Sequence, residues 1–264
     1  TKSEFVENMI LAILQARFSS SRLPGKVLKP ILGKAMLLHQ IERIQHSQMI
    51  DKLVVATSTN PSDDNIEKMC LNNNIEVFRG DLDNVLDRFY QCAKPYSPKY
   101  IVRLTGDCPL TDWKTIDKVV QHCSEGGFDY IKTSEKFPDG LDVGIMTALA
   151  LKIAWKNAKM PSEMEHVTQY IGKNPNLFKN GEYDCNQDLS HHRWTVDEPE
   201  DFIFVNSIYK ALYQKNPLFL TNDILDLLQK QPNLTKINNS FTRNEGLKKS
   251  LQEDKKCIKN PSNI

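Results

Sequence analysis

Met9-Ile-Leu-Ala-Ile-Leu14, followed by Gln15-Ala-Arg-Phe-Ser-Ser-Ser-Arg-Leu-Pro-Gly-Lys26, is the stretch that decides the reading. An unbroken apolar run is expected of a strand buried on both faces, because a half-buried strand would alternate. The loop after it gathers three cations (Arg17, Arg22, Lys26), three hydroxyls (Ser19, Ser20, Ser21) and Gly25. Guanidinium forks and an ammonium suit phosphate oxygens, and serine hydroxyls with free backbone N–H groups complete a cradle. A solvated basic loop is the plain alternative, but position and composition agree on the phosphate reading. GxxxxGK[ST] is absent, so this is not a Walker loop, and no GxGxxG follows the strand, which disfavours a dinucleotide-dependent oxidoreductase.

Moving outward, the pattern alternates. Strands are expected at Lys52 to Thr57, Ile75 to Phe78, Tyr100 to Leu104 and Phe128 to Ile131. Helices are expected at Ala35 to Ser47, Ser62 to Asn74, Asn84 to Lys94 and Asp112 to Cys123, the last with Asp112 as N-cap. Repeated β-α units predict an α/β fold: a mostly parallel sheet with helices on both faces. Ligands of such sheets sit beyond the C-terminal strand ends, at the switch point. The second half is less regular. Helices are expected at Thr147 to Lys159, Ser162 to Lys173, Glu198 to Tyr213 and Thr221 to Lys230, with a strand at His192 to Val196. From Arg243 the chain is charged and poor in apolar residues, which reads as a peripheral helix with a frayed end.

The chain has 264 residues, fitting one domain over 9–240 with a peripheral segment over 241–264. Residues 1–8 read as a short extension or tag remnant. Lys plus Arg number 34 and Asp plus Glu 33, so no bulk field attracts nucleic acid and any anion site must be local. The longest apolar run is too short to cross a membrane. Six cysteines without a CxxC pair argue against a disulfide framework and for a reducing, cytoplasmic setting.

Two acids fall where a divalent ion would be held beside a phosphate loop. Asp107, in Thr105-Gly-Asp-Cys-Pro109, follows the strand ending at Leu104; Asp197, in Arg193-Trp-Thr-Val-Asp-Glu-Pro-Glu-Asp201, follows another expected strand. One or two carboxylates suffice for Mg²⁺ when phosphates and water supply the rest. The plain alternatives are a Gly-Asp turn for Asp107 and a helix N-cap for Asp197. Pro138-Asp-Gly-Leu-Asp142 reads as a turn or a substrate loop. Glu165 and His166 lack HExxH, and His191 and His192 are adjacent, a poor spacing for a metal. Cys108 reads as packing.

At these motifs the chain resembles nucleotidyltransferases of the CMP-sugar synthetase class, and within it the spore coat polysaccharide biosynthesis protein F family, relatives of the CMP-Kdo and CMP-sialic acid synthetases. The resemblance rests on Ile13 to Leu28, Phe78-Arg-Gly-Asp81, Val85-Leu-Asp-Arg88, Val102 to Leu110, Pro138 to Val143, Glu165-His-Val167, Leu189 to Asp201 and Arg243-Asn-Glu-Gly246. It runs in order from about Met9 to about Lys255. It implies a Rossmann-like nucleotidyltransferase fold and transfer of CMP from CTP to a sugar acid or phosphorylated acceptor, with pyrophosphate released, for surface glycan synthesis. It implies catalytic roles for Arg17, Lys26 and Asp107, and Mg²⁺ on Asp107 and Asp197. Nucleotide contacts are implied for Gln15, Ser20, Ser21, Arg22, Gly80, Asp87, Arg88 and Arg103. Asp139, Asp142, Glu165, His166 and Arg193 would line the acceptor side. Ser21 stands where Thr is usual, and Gly144 where Glu is expected, which removes a carboxylate near the acceptor. Related synthetases are often dimers, and Leu141 to Glu182 would supply an interface or a lid. A GTP- or UTP-using sugar-1-phosphate nucleotidyltransferase and an inactive nucleotide-binding module are the rival readings. Retention of Arg17, Lys26, Asp107 and Asp197 together argues against the second.

Overall fold

A computed structural model describes residues 8–243 and 245–259. The expected extension over 1–8 and the frayed end past 259 therefore lie largely outside the described residues. In chain order, β1 (Ile10–Gln15) leads to a small hairpin, β2 (Pro30–Ile31) and β3 (Lys34–Ala35), and then α1 (Met36–Ile44). There follow β4 (Lys52–Ser58), α2 (Asp64–Asn72), β5 (Val77–Gly80), α3 (Val85–Ala93), β6 (Tyr100–Thr105), α4 (Trp113–Gly126) and β7 (Tyr130–Thr133). The second half contains β8 (Gly144–Thr147), α5 (Ala148–Asn157), α6 (Pro161–Glu165), α7 (Gln169–Lys173), β9 (Asn180–Tyr183), α8 (Pro199–Leu212), α9 (Thr221–Lys230) and α10 (Glu245–Lys259).

The main sheet has seven strands in the order β5-β4-β1-β6-β8-β7-β9. β5, β4, β1 and β6 are parallel neighbours, β8 runs antiparallel between β6 and β7, and β9 is parallel to β7. The continuous apolar run of β1 is explained by its two faces. Ala12 and Leu14 enter one core with Leu37 and Ile41 of α1 and Ile116 and Val120 of α4. Leu11 and Ile13 enter another with Leu86 and Phe89 of α3 and Leu151 of α5. Asp112 caps α4 as expected, accepting from the N–H groups of Lys114 and Thr115.

Three expectations change. The strand at His192 to Val196 is absent; the segment makes a single bridge between Arg193 and Asp139. Its apolar residues Trp194 and Val196 belong to a third core with α8 and α9, so burial rather than sheet pairing explains them. The helix at Ser162 to Lys173 is broken into α6 and α7, with Val167 between them at φ 44°. A β-branched residue is strained there, and Val167 is held by complete burial. Finally, β8 and β9 were not expected. Both are four residues long, and β9 (Asn-Gly-Glu-Tyr) is a polar edge strand with no apolar alternation.

Candidate active site

β1 is flanked by β4 and β6, and the connections from those neighbours run in opposite senses, so the switch point lies at the C-terminal ends of β1 and β6. Gln15 and Thr105 are register partners there, and the Gly106 N–H donates to the Gln15 carbonyl at 2.8 Å. A cleft of about 950 Å³ opens over this point and extends across β6, β8 and β7. That is near the upper end of the range for small-molecule sites, about 300–1,000 Å³.

The loop after β1 is braced from beneath. The Phe18 N–H donates to the fully buried Asp63 at 2.7 Å, and the Gly25 N–H donates to the Phe18 carbonyl at 2.9 Å. Gly25 has φ 67°, and a Cβ there would lie 2.8 Å from the Phe18 ring, so both conformation and close approach require glycine. This turn delivers Lys26 on a short 3₁₀ segment. Its ammonium is buried and donates to the Val196 carbonyl at 2.7 Å, to Asp197 at 2.8 Å and to Asp107 at 3.3 Å. Burial opposes its charge, but the two carboxylates win and raise its pKa. Burial likewise pushes the Asp107 carboxyl up, yet Lys26 and hydrogen bonds from neighbours hold it at about 2.

Asp197 is not the N-cap of α8. That helix begins after Glu198, and Asp201 accepts from the N–H groups of both Asp197 and Glu198 at 2.9 Å. The Asp197 carboxylate is thereby left for Lys26 and for Arg22, 3.0 Å away. Two carboxylates meeting over a phosphate-type loop fit a magnesium ion whose other ligands come from phosphate and water. Among the described residues no cluster of three or more His, Cys, Asp or Glu side chains could hold a metal unaided. Buried polar atoms are also unmet here. Gln15 Oε1, Arg88 Nε and Arg103 Nε are buried without partners, and all three residues line the cleft. Arg17, Ser20 and Ser21 line it too, and Arg17 makes no ion pair among the described residues.

Other expected residues are placed differently. Gly80 and Asp87 lie off the cleft. A Cβ on Gly80 would meet Arg88 Cγ at 2.9 Å, so this glycine makes room for Arg88. Asp87 accepts from Trp155 Nε1 at 2.8 Å and from Gln91 at 3.1 Å, which ties α3 to α5. Arg193 is not a cleft residue either. It forks onto the fully buried Asp201 with two bonds of 2.9 Å and reaches Asp139 at 3.0 Å. Through Asp201 it braces the Asp197 turn. Asp139, Asp142, Glu165 and His166 do line the cleft. Burial and neighbouring Asp142 raise the Asp139 pKa to about 6 against Arg243 and Arg193. Burial lowers the His166 pKa.

The sequence reading missed Asp201 and underrated the C-terminal segment. Arg243 pairs with Asp142 at 2.6 Å, Glu245 with Arg22 at 2.7 Å, and Ser250 donates to Glu165 at 2.5 Å. The helix read as peripheral thus lies along one wall of the cleft, anchored to α6 by Asp254, which accepts from the Ser162 N–H at 2.9 Å. The Arg243-Asn-Glu-Gly246 motif was the available signal.

An α/β sheet with a basic loop and two acids at its switch point defines a nucleotidyltransferase architecture, and the comparisons agree. Residues 11–240 match the Cytidylyltransferase family, and the chain belongs to it. The spore coat polysaccharide biosynthesis protein SpsF of Bacillus subtilis is 34% identical over 85% of this chain and 96% of its own length. The 3-deoxy-manno-octulosonate cytidylyltransferase of Geobacter sulfurreducens is 34% identical over 44% of this chain and 46% of its own. The solved structure of a cytidylyltransferase from Leptospira borgpetersenii superposes with TM-score 0.82 at 31% identity, covering 87% of this chain and 97% of that one. No helix among the described residues is long and apolar enough to cross a membrane.

Proposed function

We propose that this enzyme transfers CMP from CTP to a sugar acid or phosphorylated sugar-like acceptor, releasing pyrophosphate, in the making of a surface glycan. The observation that carries the reading is Lys26 held between Asp107 and Asp197 at the switch point, beside Arg17 and Arg22. Lys26, Arg17 and Arg22 neutralise the triphosphate and then the departing pyrophosphate; Gln15, Ser20 and Ser21 line its path. The acceptor oxygen attacks the α-phosphorus in line. The bond from that phosphorus to the α–β bridging oxygen breaks, and its electron pair leaves with pyrophosphate. Asp107 and Asp197 would hold Mg²⁺, which supplies charge neutralisation at the transferring phosphoryl group. An acceptor phosphate or carboxylate oxygen needs no base. A hydroxyl acceptor must lose a proton; Asp139 lines the cleft but is ion-paired with Arg193 at 3.0 Å, so an acceptor that is already anionic fits this site better.

The test is pyrophosphate release with Mg²⁺, crossing CTP, GTP, UTP and ATP against nonulosonic acids, sugar phosphates and small phosphonates. Release with CTP and one acceptor is expected; release with GTP or UTP instead would move the chain to another nucleotide class. Asp107→Asn should cut kcat by about 100- to 1,000-fold with the fold intact. Near-normal turnover in that variant would sink the assignment.

A further inference from the structure

One cation of the cleft stands apart from the phosphate loop. Arg103 lies on β6, one strand beyond the phosphate loop, and is paired in register with Gly144 of β8. Its Nε is buried with no partner, and the residue makes no ion pair among the described residues. Asp107 and Asp142 are near enough to favour its charge, but each is spent elsewhere, Asp107 on Lys26 and Asp142 on Arg243. Asp139 is taken by Arg193. Burial, and more weakly Arg103, disfavour protonation of His166 on the same wall. A buried guanidinium with an unmet donor is costly unless something anionic meets it.

The space beside it is open for such a group. A Cβ built on Gly144 would meet only ordinary contacts, Tyr130 Cε2 at 3.7 Å, the Tyr130 hydroxyl at 4.0 Å and Arg103 Cβ at 4.0 Å. Gly144 thus leaves floor space between a cation and a phenol, and both line the same cleft as His166 and Thr168. Nothing about the backbone demands glycine here, since Gly144 lies in regular β-strand without positive φ.

Resting on the reading of the site given above, we infer that Arg103, with the Tyr130 hydroxyl and the space left by Gly144, forms the subsite for the acceptor's anionic group, a carboxylate or a phosphate. Arg103 then belongs to the acceptor and not to the nucleotide. The acceptor supplies the direct countercharge that Arg103 lacks among the described residues, so a neutral analogue of the same shape leaves a buried cation unpaired and is rejected.

The test uses calorimetry on the full chain in two stages. CTP with Mg²⁺ is titrated first. Inorganic phosphate and, separately, pyruvate are then titrated into the CTP-saturated protein, with glycerol as a neutral control. The wild type should bind at least one anion and not glycerol, and which anion binds distinguishes a phosphorylated acceptor from a carboxylic one. Arg103→Gln should weaken that binding about tenfold or more while changing CTP affinity less than about twofold. Gly144→Glu, which supplies an internal carboxylate to Arg103, should have the same effect. Gly144→Ala, which adds bulk without charge, should cost less than about threefold. Loss of CTP affinity in Arg103→Gln with anion binding intact would return Arg103 to the nucleotide and overturn the inference, leaving the proposed activity standing. No anion binding to the CTP-saturated wild type would also overturn it. Absence of CTP binding in the wild type would instead remove the activity on which it rests.

Discussion

The two ends of the cleft are built by different means. At the proposed nucleotide end, one loop of eleven residues (Ala16 to Lys26) following one strand supplies nearly all the chemistry, and two acids from elsewhere converge on its lysine. At the proposed acceptor end, three segments far apart in sequence meet: β6 to β8 with the Asp139 loop between β7 and β8, the break between α6 and α7, and α10. Their charges mostly cancel in pairs, Arg243 with Asp142 and Arg193 with Asp139 and Asp201. On the proposed function, the first end serves polyphosphate with a single loop. The second is assembled from long-range contacts, so changes to one segment can alter what it accepts without disturbing the loop.

The sharpest way to break that division is to attack the group that serves both ends. Asp201 is fully buried and accepts from Arg193, from the Asp197 and Glu198 N–H groups and from Asn238. Removing one partner of a buried pair leaves the other charge uncompensated, which costs about 3–5 kcal/mol. Asp201→Asn should therefore lower the unfolding free energy in urea by that amount and also impair turnover, since the Asp197 turn loses its brace. A loss below about 1 kcal/mol would show that Arg193 finds enough in Asp139 and Asp197, and that Asp201 does not link the two ends.

A smaller effect should separate the ends cleanly. Among the described residues, Arg243 contacts the proposed acceptor side, through Asp142, Asp139 and the carbonyls of Glu135 and Phe137. Arg243→Gln should raise the acceptor KM about tenfold and leave the CTP KM unchanged. A rise in the CTP KM alone would mean that the C-terminal segment acts on the nucleotide, by way of Glu245 and Arg22.

What could be read from the sequence follows the same division. The apolar run Met9 to Leu14 and the loop behind it carry their meaning locally, so the mostly parallel sheet, the switch point and the placing of Asp107 and Asp197 beside the loop are legible in the sequence, whereas the pairing of Lys26 with both acids is not. Arg193 was misplaced because a guanidinium near acids looks the same whether it awaits a substrate or is already paired; only the buried Asp201, eight residues on, decides it. The missing strand at His192 to Val196 has a similar cause, since alternation of buried residues does not say whether a sheet or a helix layer does the burying. β8 and β9 are short, and their pairing is set by tertiary contact rather than propensity. The break at Val167 runs against local preference altogether.

The smallest predicted effect concerns pH, and it sets the two ends against each other. Asp107 is held at about 2 against an ordinary 3.8, so its contribution to stability is present above 3.8 and disappears as pH falls through about 2. Asp139 is raised to about 6 against the same ordinary value. Its proton is bound more tightly in the folded state, so its contribution is complete below 3.8 and is lost as pH rises through about 6. Between those values the wild type should gain stability on acidification from the acceptor end while the nucleotide end stays constant. Asp139→Asn should remove that gain, a difference on the order of 1 kcal/mol across the interval. Urea unfolding of both proteins at several pH values in this window measures it. Parallel curves would mean that Arg193 and Arg243 keep Asp139 ionised throughout, and that the acceptor end is as fully charge-paired as the nucleotide end around Lys26.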